Sequence, residues 1–164
     1  MKNVVISILI FVGLSWAGNA QGEPIDLNFL QKDVDQAIEQ LAADLSEYNP
    51  QAFEKFYQDL QREAAQIRNQ IGKAPFKVLQ RKIWRLFTLA SVANYAALAK
   101  AHVTGKPLSN LSDKNTLFIR SNRALWDYEE RNGYSGADIE TNLFAKNRFM
   151  KRHPSIVPYF NFFE

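Results

Sequence analysis

The chain has 164 residues, 46% of them hydrophobic, with 20 basic and 17 acidic side chains and a formal net charge of +3. It contains no cysteine, which excludes a disulfide framework, a thiol nucleophile and a thiolate metal site. The pI of about 9.1 would suit a nucleic-acid binder, but the N-terminal segment argues against that partner.

That segment opens with Lys2, continues through the apolar run VVISILIFVGL and closes on the small residues Ala17, Gly18 and Ala20. A positive start, an apolar stretch and small residues are the three parts of a secretory signal peptide, expected here over residues 1–20. The run is well short of the roughly 20 residues that a spanning helix needs. The expectation is therefore an exported protein, of a bacterial periplasm or secreted. It would have no nucleic-acid partner, no transmembrane segment once the leader is removed, and residues 21–164 as a single helical domain.

Charge is distributed unevenly in that domain. Residues 21–66 carry 10 acidic and 3 basic side chains, whereas residues 67–164 carry 7 acidic and 16 basic ones. The two parts should attract, an acidic helical hairpin lying beside basic helices.

Leu27, Leu30, Val34, Ile38, Leu41, Leu45 and Tyr48 follow the three-and-four spacing of one buried helical face, with Asp26 as its N-cap. Asn49-Pro50 ends that helix and starts the next, because a residue before proline leaves the helical region and proline suits the first helical position. Tyr48 and Phe53 then occupy the two positions of a hydrophobic staple. The second stripe runs from Phe53 through Phe56, Tyr57, Leu60, Ala64 and Ile67 to Ile71 and stops at Gly72. Two helices of about 22 residues each would form an antiparallel hairpin roughly 33 Å long.

A third helix starts near Pro75. Its first half is amphipathic and basic, with Lys77, Arg81, Lys82 and Arg85. Its second half, Leu86 to Ala99, carries no charge and is apolar on every side, the pattern of a helix surrounded by others. The stretch VTGKPLSNLS breaks the helix. Ser112 would cap a fourth helix with the face Leu117, Phe118, Ser121, Leu125 and Tyr128, ending at Asn132-Gly133. Ser135 and Asp138 resemble a capping box for a fifth helix through Ile139, Leu143, Phe144 and Met150, followed by an irregular aromatic tail. The fold class is all-α: a single-domain bundle of about five helices with a long N-terminal hairpin and a buried central helix.

No glycine-rich phosphate loop, nucleophile elbow or metal-binding histidine spacing is present, so no cofactor and no metal are expected. His102 and His153 read as residues at helix C-termini. Paired carboxylates are the remaining catalytic possibility. Glu129 and Glu130 are expected on a helix surface, Asp127 and Arg131 as an ordinary ion pair, and Asp138 and Glu140 as first-turn charges. None of these gives a reason for a raised pKa.

Three features are candidates for recognition. Lys77, Arg81 and Arg85 form one line along a helix, which could grip an anionic or acidic partner, though the expectation is that it faces the acidic hairpin or solvent. Tyr134, between two glycines, stands on a loop, where binding residues concentrate, or equally on a plain helix-helix connection. Tyr159, Phe160, Phe162 and Phe163 either complete the core or anchor a partner; core completion is the expectation, since large exposed apolar patches are uncommon on soluble monomers.

The functional expectation is an exported, non-enzymatic helical protein that binds another protein or peptide, as an adaptor, inhibitor, immunity protein or chaperone does. The alternatives are a carrier of an apolar or anionic, lipid-like amphiphile and a cell-envelope hydrolase using carboxylates.

Overall fold

A computed structural model of the protein describes residues 25–106 and 109–160. The signal peptide expected over residues 1–20, like Phe162 and Phe163, lies outside them. The described residues form seven α-helices and no strand: α1 (Gln31–Ala42), α2 (Pro50–Gln70), α3 (Phe76–Thr104), α4 (Ser109–Ser121), α5 (Arg123–Arg131), α6 (Ala137–Arg152) and α7 (Val157–Phe160). Single 3-10 turns at Asn28–Leu30 and Pro154–Ile156 precede α1 and α7. No helix among the described residues is long and apolar enough to cross a membrane.

The α1–α2 junction follows from Asn49-Pro50. Asn49 is extended, and its side-chain oxygen accepts a hydrogen bond from the Ala52 N–H at 3.2 Å, satisfying one of the donors that a helix start leaves open. Tyr48 meets Phe53 with ring centroids 6.4 Å apart, which fixes the entry of the chain into α2.

α1 is shorter than its apolar stripe implies. It stops at Ala42, and Asp44 Oδ1 then accepts from both the N–H and the hydroxyl of Ser46, a local turn that competes with helix. Lys100, almost wholly buried on α3, closes this turn by donating to the carbonyls of Asp44 and Glu47. Burial pushes the Lys100 ammonium below its usual pKa range, while Asp44 and Glu47 act in the opposite sense.

α3 is the axis of the bundle, about 43 Å long at 1.5 Å per residue. It packs against α1, α2, α4 and α6, whereas α1 and α2 touch each other little. The expected N-terminal hairpin is thus splayed, with both arms leaning on α3. From Leu86 to Ala99, α3 is buried on nearly every side, as its uncharged sequence implies. Its small residues Ala90, Ala93, Ala96 and Ala97 are covered and permit close helix approach.

That close approach explains why α6 turns a different face inward from the expected one. Ala137, Thr141, Ala145 and Phe149 are buried, whereas Ile139 and Leu143 are 61% and 45% exposed. Small residues on both helices let the backbones approach, so the large aliphatic pair is left outside. The proposed cap is also absent: α6 begins after Gly136, with no side-chain cap bond.

The fourth expected helix is two helices. α4 begins at Ser109 and breaks at the buried Asn122, whose amide donates to the Phe118 carbonyl at 2.8 Å and to Gln61 Oε1 at 3.1 Å. Arg68 donates to Asn122 Oδ1, so the break is tied to α2. The buried face is Phe118, Asn122, Leu125, Trp126 and Glu129; Leu117 is 63% exposed. The aromatic tail is helical as far as Phe160, since the 3-10 turn leads directly into α7.

The charge asymmetry is expressed as ion pairs between helices. Arg85 meets Asp33 and Glu63, Arg148 meets Asp35, and Lys114 meets Glu54. Each joins the acidic N-terminal part to the basic remainder.

Candidate recognition groove at the start of α3

Lys77, Arg81 and Arg85 lie one helical turn apart on α3, yet their surroundings differ. Arg85 is held between Asp33 of α1 and Glu63 of α2, the latter at 2.7 Å. Burial opposes its charge, but these two carboxylates outweigh that and hold its pKa above the usual arginine range. The Arg81 guanidinium carbon sits over the Phe29 ring, 4.2 Å from its centroid, a cation–π arrangement. Lys77 is exposed. Neither Lys77 nor Arg81 forms an ion pair among the described residues.

Tyr134 is brought to the same place by the end of α5. The Tyr134 N–H bonds to the Glu129 carbonyl at 3.2 Å and the Gly133 N–H to the Glu130 carbonyl at 3.0 Å, the paired bonds of a Schellman ending. This ending needs a left-handed residue, and Gly133 supplies it with φ of 92°. The tyrosine is therefore half-buried rather than prominent on a flexible loop. Its ring meets Phe76 at 5.6 Å and Trp84 at 5.9 Å.

A Cβ added at Gly133 would meet nothing within 4 Å, so Gly133→Ala isolates the backbone cost. It is expected to destabilise the fold by about 1–2 kcal/mol. Denaturant unfolding checks this, and an unchanged midpoint would show that the ending does not depend on the left-handed conformation.

Beneath the groove is a carboxylate that sequence patterning placed on the surface. Glu129 is fully buried. Its Oε2 accepts from the Trp84 indole N–H at 3.0 Å, and its Oε1 lies beside the buried Gln80 amide without a well-formed hydrogen bond. Burial pushes the Glu129 carboxyl up to about 7, and Trp84 and the Gln80 amide only partly counter this. The expected surface pair Glu129 and Glu130 thus separates, with Glu130 outside. Asp127 pairs with Arg123 at 3.0 Å, while Arg131 donates to the Asp127 backbone carbonyl, so the expected Asp127–Arg131 ion pair does not form. One signal was available: Glu129 continues the face of Leu125 and Trp126 at helical spacing.

Lys77, Gln80, Arg81 and Trp84 of α3, with Asp26, Phe29 and Tyr134, line a groove of about 330 Å³. The structure thus unites Lys77, Arg81 and Tyr134 and assigns Arg85 to the α1–α2 side.

The tail aromatics are elsewhere. Phe160 is buried against Tyr95 and Phe149, with centroids at 5.4 and 6.0 Å, and Tyr159 stacks on His102 at 4.1 Å. From Lys77 to His102 is about 37 Å along α3 at 1.5 Å per residue, so the tail and the groove are separate features. His153, at the end of α6, has its pKa lowered by burial and then by Arg152 and Lys100. Among the described residues no group of three or more acidic or histidine side chains could hold a metal ion.

A second groove, of about 540 Å³, runs between α2 and α4 and is lined by Tyr57, Phe118, Leu117, Glu54 and Lys114 among others. Comparison with protein-family models, with curated proteins and with solved structures finds no match to this chain.

Proposed function

We propose that this is an exported, non-enzymatic helical protein that binds another protein or peptide, with the groove at the start of α3 as its recognition site. The observation that supports this reading is the convergence of Lys77, Arg81 and Tyr134 on one aromatic-walled depression, with two cations that no carboxylate of the described residues neutralises. Aromatic side chains and arginine supply most of the anchoring energy at protein interfaces. A hydrolase reading would need a pair of carboxylates facing the substrate, and the groove's lining holds one, Asp26, while Glu129 is hydrogen-bonded to Trp84 outside it. A carrier reading draws on the small residues of α3, which are occupied by packing against neighbouring helices.

The test compares the wild-type protein with Lys77→Glu/Arg81→Glu as bait in the envelope fraction of the producing cell. A partner retained by the wild type and lost by the variant, with both melting at the same temperature, is the expected outcome. Identical captured sets, or no specific partner with either bait, would sink the reading.

A further inference from the structure

The groove is rich in hydrogen-bond donors and poor in acceptors. Lys77 contributes an ammonium, and Arg81, whose guanidinium sits over Phe29, supplies N–H donors of the kind that pair with a carboxylate in bidentate fashion. The one carboxylate in the lining, Asp26, already accepts the Asn28 N–H at 2.9 Å. Two cations against one carboxylate leave the lining net positive.

The other walls are rings: Phe29, Trp84 and Tyr134. A volume of about 330 Å³ is at the small end of ligand sites, which run from roughly 300 to 1,000 Å³. It accommodates one or two side chains and not a helix. Charge complementarity, apolar walls and size converge on one occupant.

We propose that the groove captures a carboxylate carried on the same side as an aromatic ring, as an acidic residue two positions from a phenylalanine in an extended segment of a partner protein. The inference rests on the reading of this chain as a peptide binder. In the bound state the carboxylate lies between Lys77 and the Arg81 guanidinium, and the ring packs among Phe29, Trp84 and Tyr134.

The experiment is calorimetric titration of the full chain with acetyl-Phe-Ala-Glu-Ala-amide and with the matched peptide in which glutamine replaces glutamate. Perturbation of the Trp84 indole N–H resonance, assigned through Trp84→Phe, is followed in parallel. The glutamate peptide is expected to bind at least about tenfold more tightly than the glutamine peptide, the equivalent of about 1.4 kcal/mol. Lys77→Gln/Arg81→Gln should remove that preference without changing the melting temperature, and the Trp84 resonance should move on binding.

Equal affinity for the two peptides, a preference that survives the double substitution, or no binding at about 10 mM peptide, where a contact of only about 3 kcal/mol would still register, overturns the inference. If the peptides fail while Lys77→Glu/Arg81→Glu still abolishes capture of a partner, the carboxylate-and-ring chemistry falls and the binding reading stands. If both fail, both fall.

Discussion

Replacing Glu129 by glutamine is expected to stabilise the protein at pH 8 and to leave it nearly unchanged at pH 5. The carboxyl is raised from 4.5 to about 7 in the folded state, first by burial, so between these values the folded protein holds a proton that the unfolded chain has released. Where the native state binds more protons, stability falls as pH rises. The loss begins as pH passes the unfolded value and is complete above the folded one. A shift of this size corresponds to about 3 kcal/mol at 1.36 kcal/mol per unit. Glutamine has nearly the same shape, keeps an oxygen to accept the Trp84 indole N–H, and carries no charge to bury.

For a chain of this length the gain at pH 8 should raise the melting temperature by roughly 5–10 °C. Other titrating groups are common to both proteins, so the difference between the two melting curves across pH isolates Glu129. Parallel curves from pH 5 to pH 8 would show that the carboxylate is solvated and that its burial beneath Trp84 is not maintained in solution.

Phe160→Ala is expected to cost about 3–5 kcal/mol, the range for removing a fully buried phenylalanine ring. Phe160 is 2% exposed and lies edge-on to Phe149 and Tyr95, two rings anchored on α6 and α3, so its removal leaves a void that those helices cannot close without moving. Tyr159→Ala should cost clearly less, because that ring is half-buried and stacks on the exposed His102. Chemical denaturation of both variants separates the cases. A loss below about 1 kcal/mol for Phe160→Ala, the scale of an ordinary surface change, would mean that the ring is not part of the folded core. Because Phe160 is far from Lys77, this variant should still prefer the glutamate peptide wherever it remains folded.

The sequence legibly encoded those features whose causes are local. Asn49-Pro50, the Tyr48–Phe53 staple, the start after Pro75 and the stop at Gly105 depend on the chain a few residues to either side, and the structure has all of them. The uncharged half of α3 also announced its burial, since fourteen such residues in a row suit a helix surrounded by others and are too few to span a membrane.

What was hidden depends on partners distant in sequence. The inward face of α6 is set by what the alanines of α3 allow, which inverts the usual preference for burying Ile139 and Leu143. The division between α4 and α5 is held by Arg68 and Gln61 from α2, and nothing near Asn122 states this. Glu129 is the most instructive case: a carboxylate on an apolar face reads as a surface residue unless the indole that receives it, 45 residues earlier, is already placed. For the groove, sequence named Lys77, Arg81 and Tyr134 separately. Their convergence came from the left-handed Gly133 and the packing of Tyr134 on Phe76 and Trp84.

The turn after α1 has a consequence for assembly. Two copies of a helical protein can trade an N-terminal helix when the connection behind it opens into a hinge, an inexpensive route to an intertwined dimer. Here the segment that would open, Asp44 to Glu47, is fastened by two carbonyls to the ammonium of Lys100, deep in the axis helix of the same molecule. Releasing it would break both of these charge-assisted hydrogen bonds. Lys100 therefore acts as a latch on the hinge, and exchange of α1 between copies is disfavoured by a single side chain outside the helix that would be exchanged.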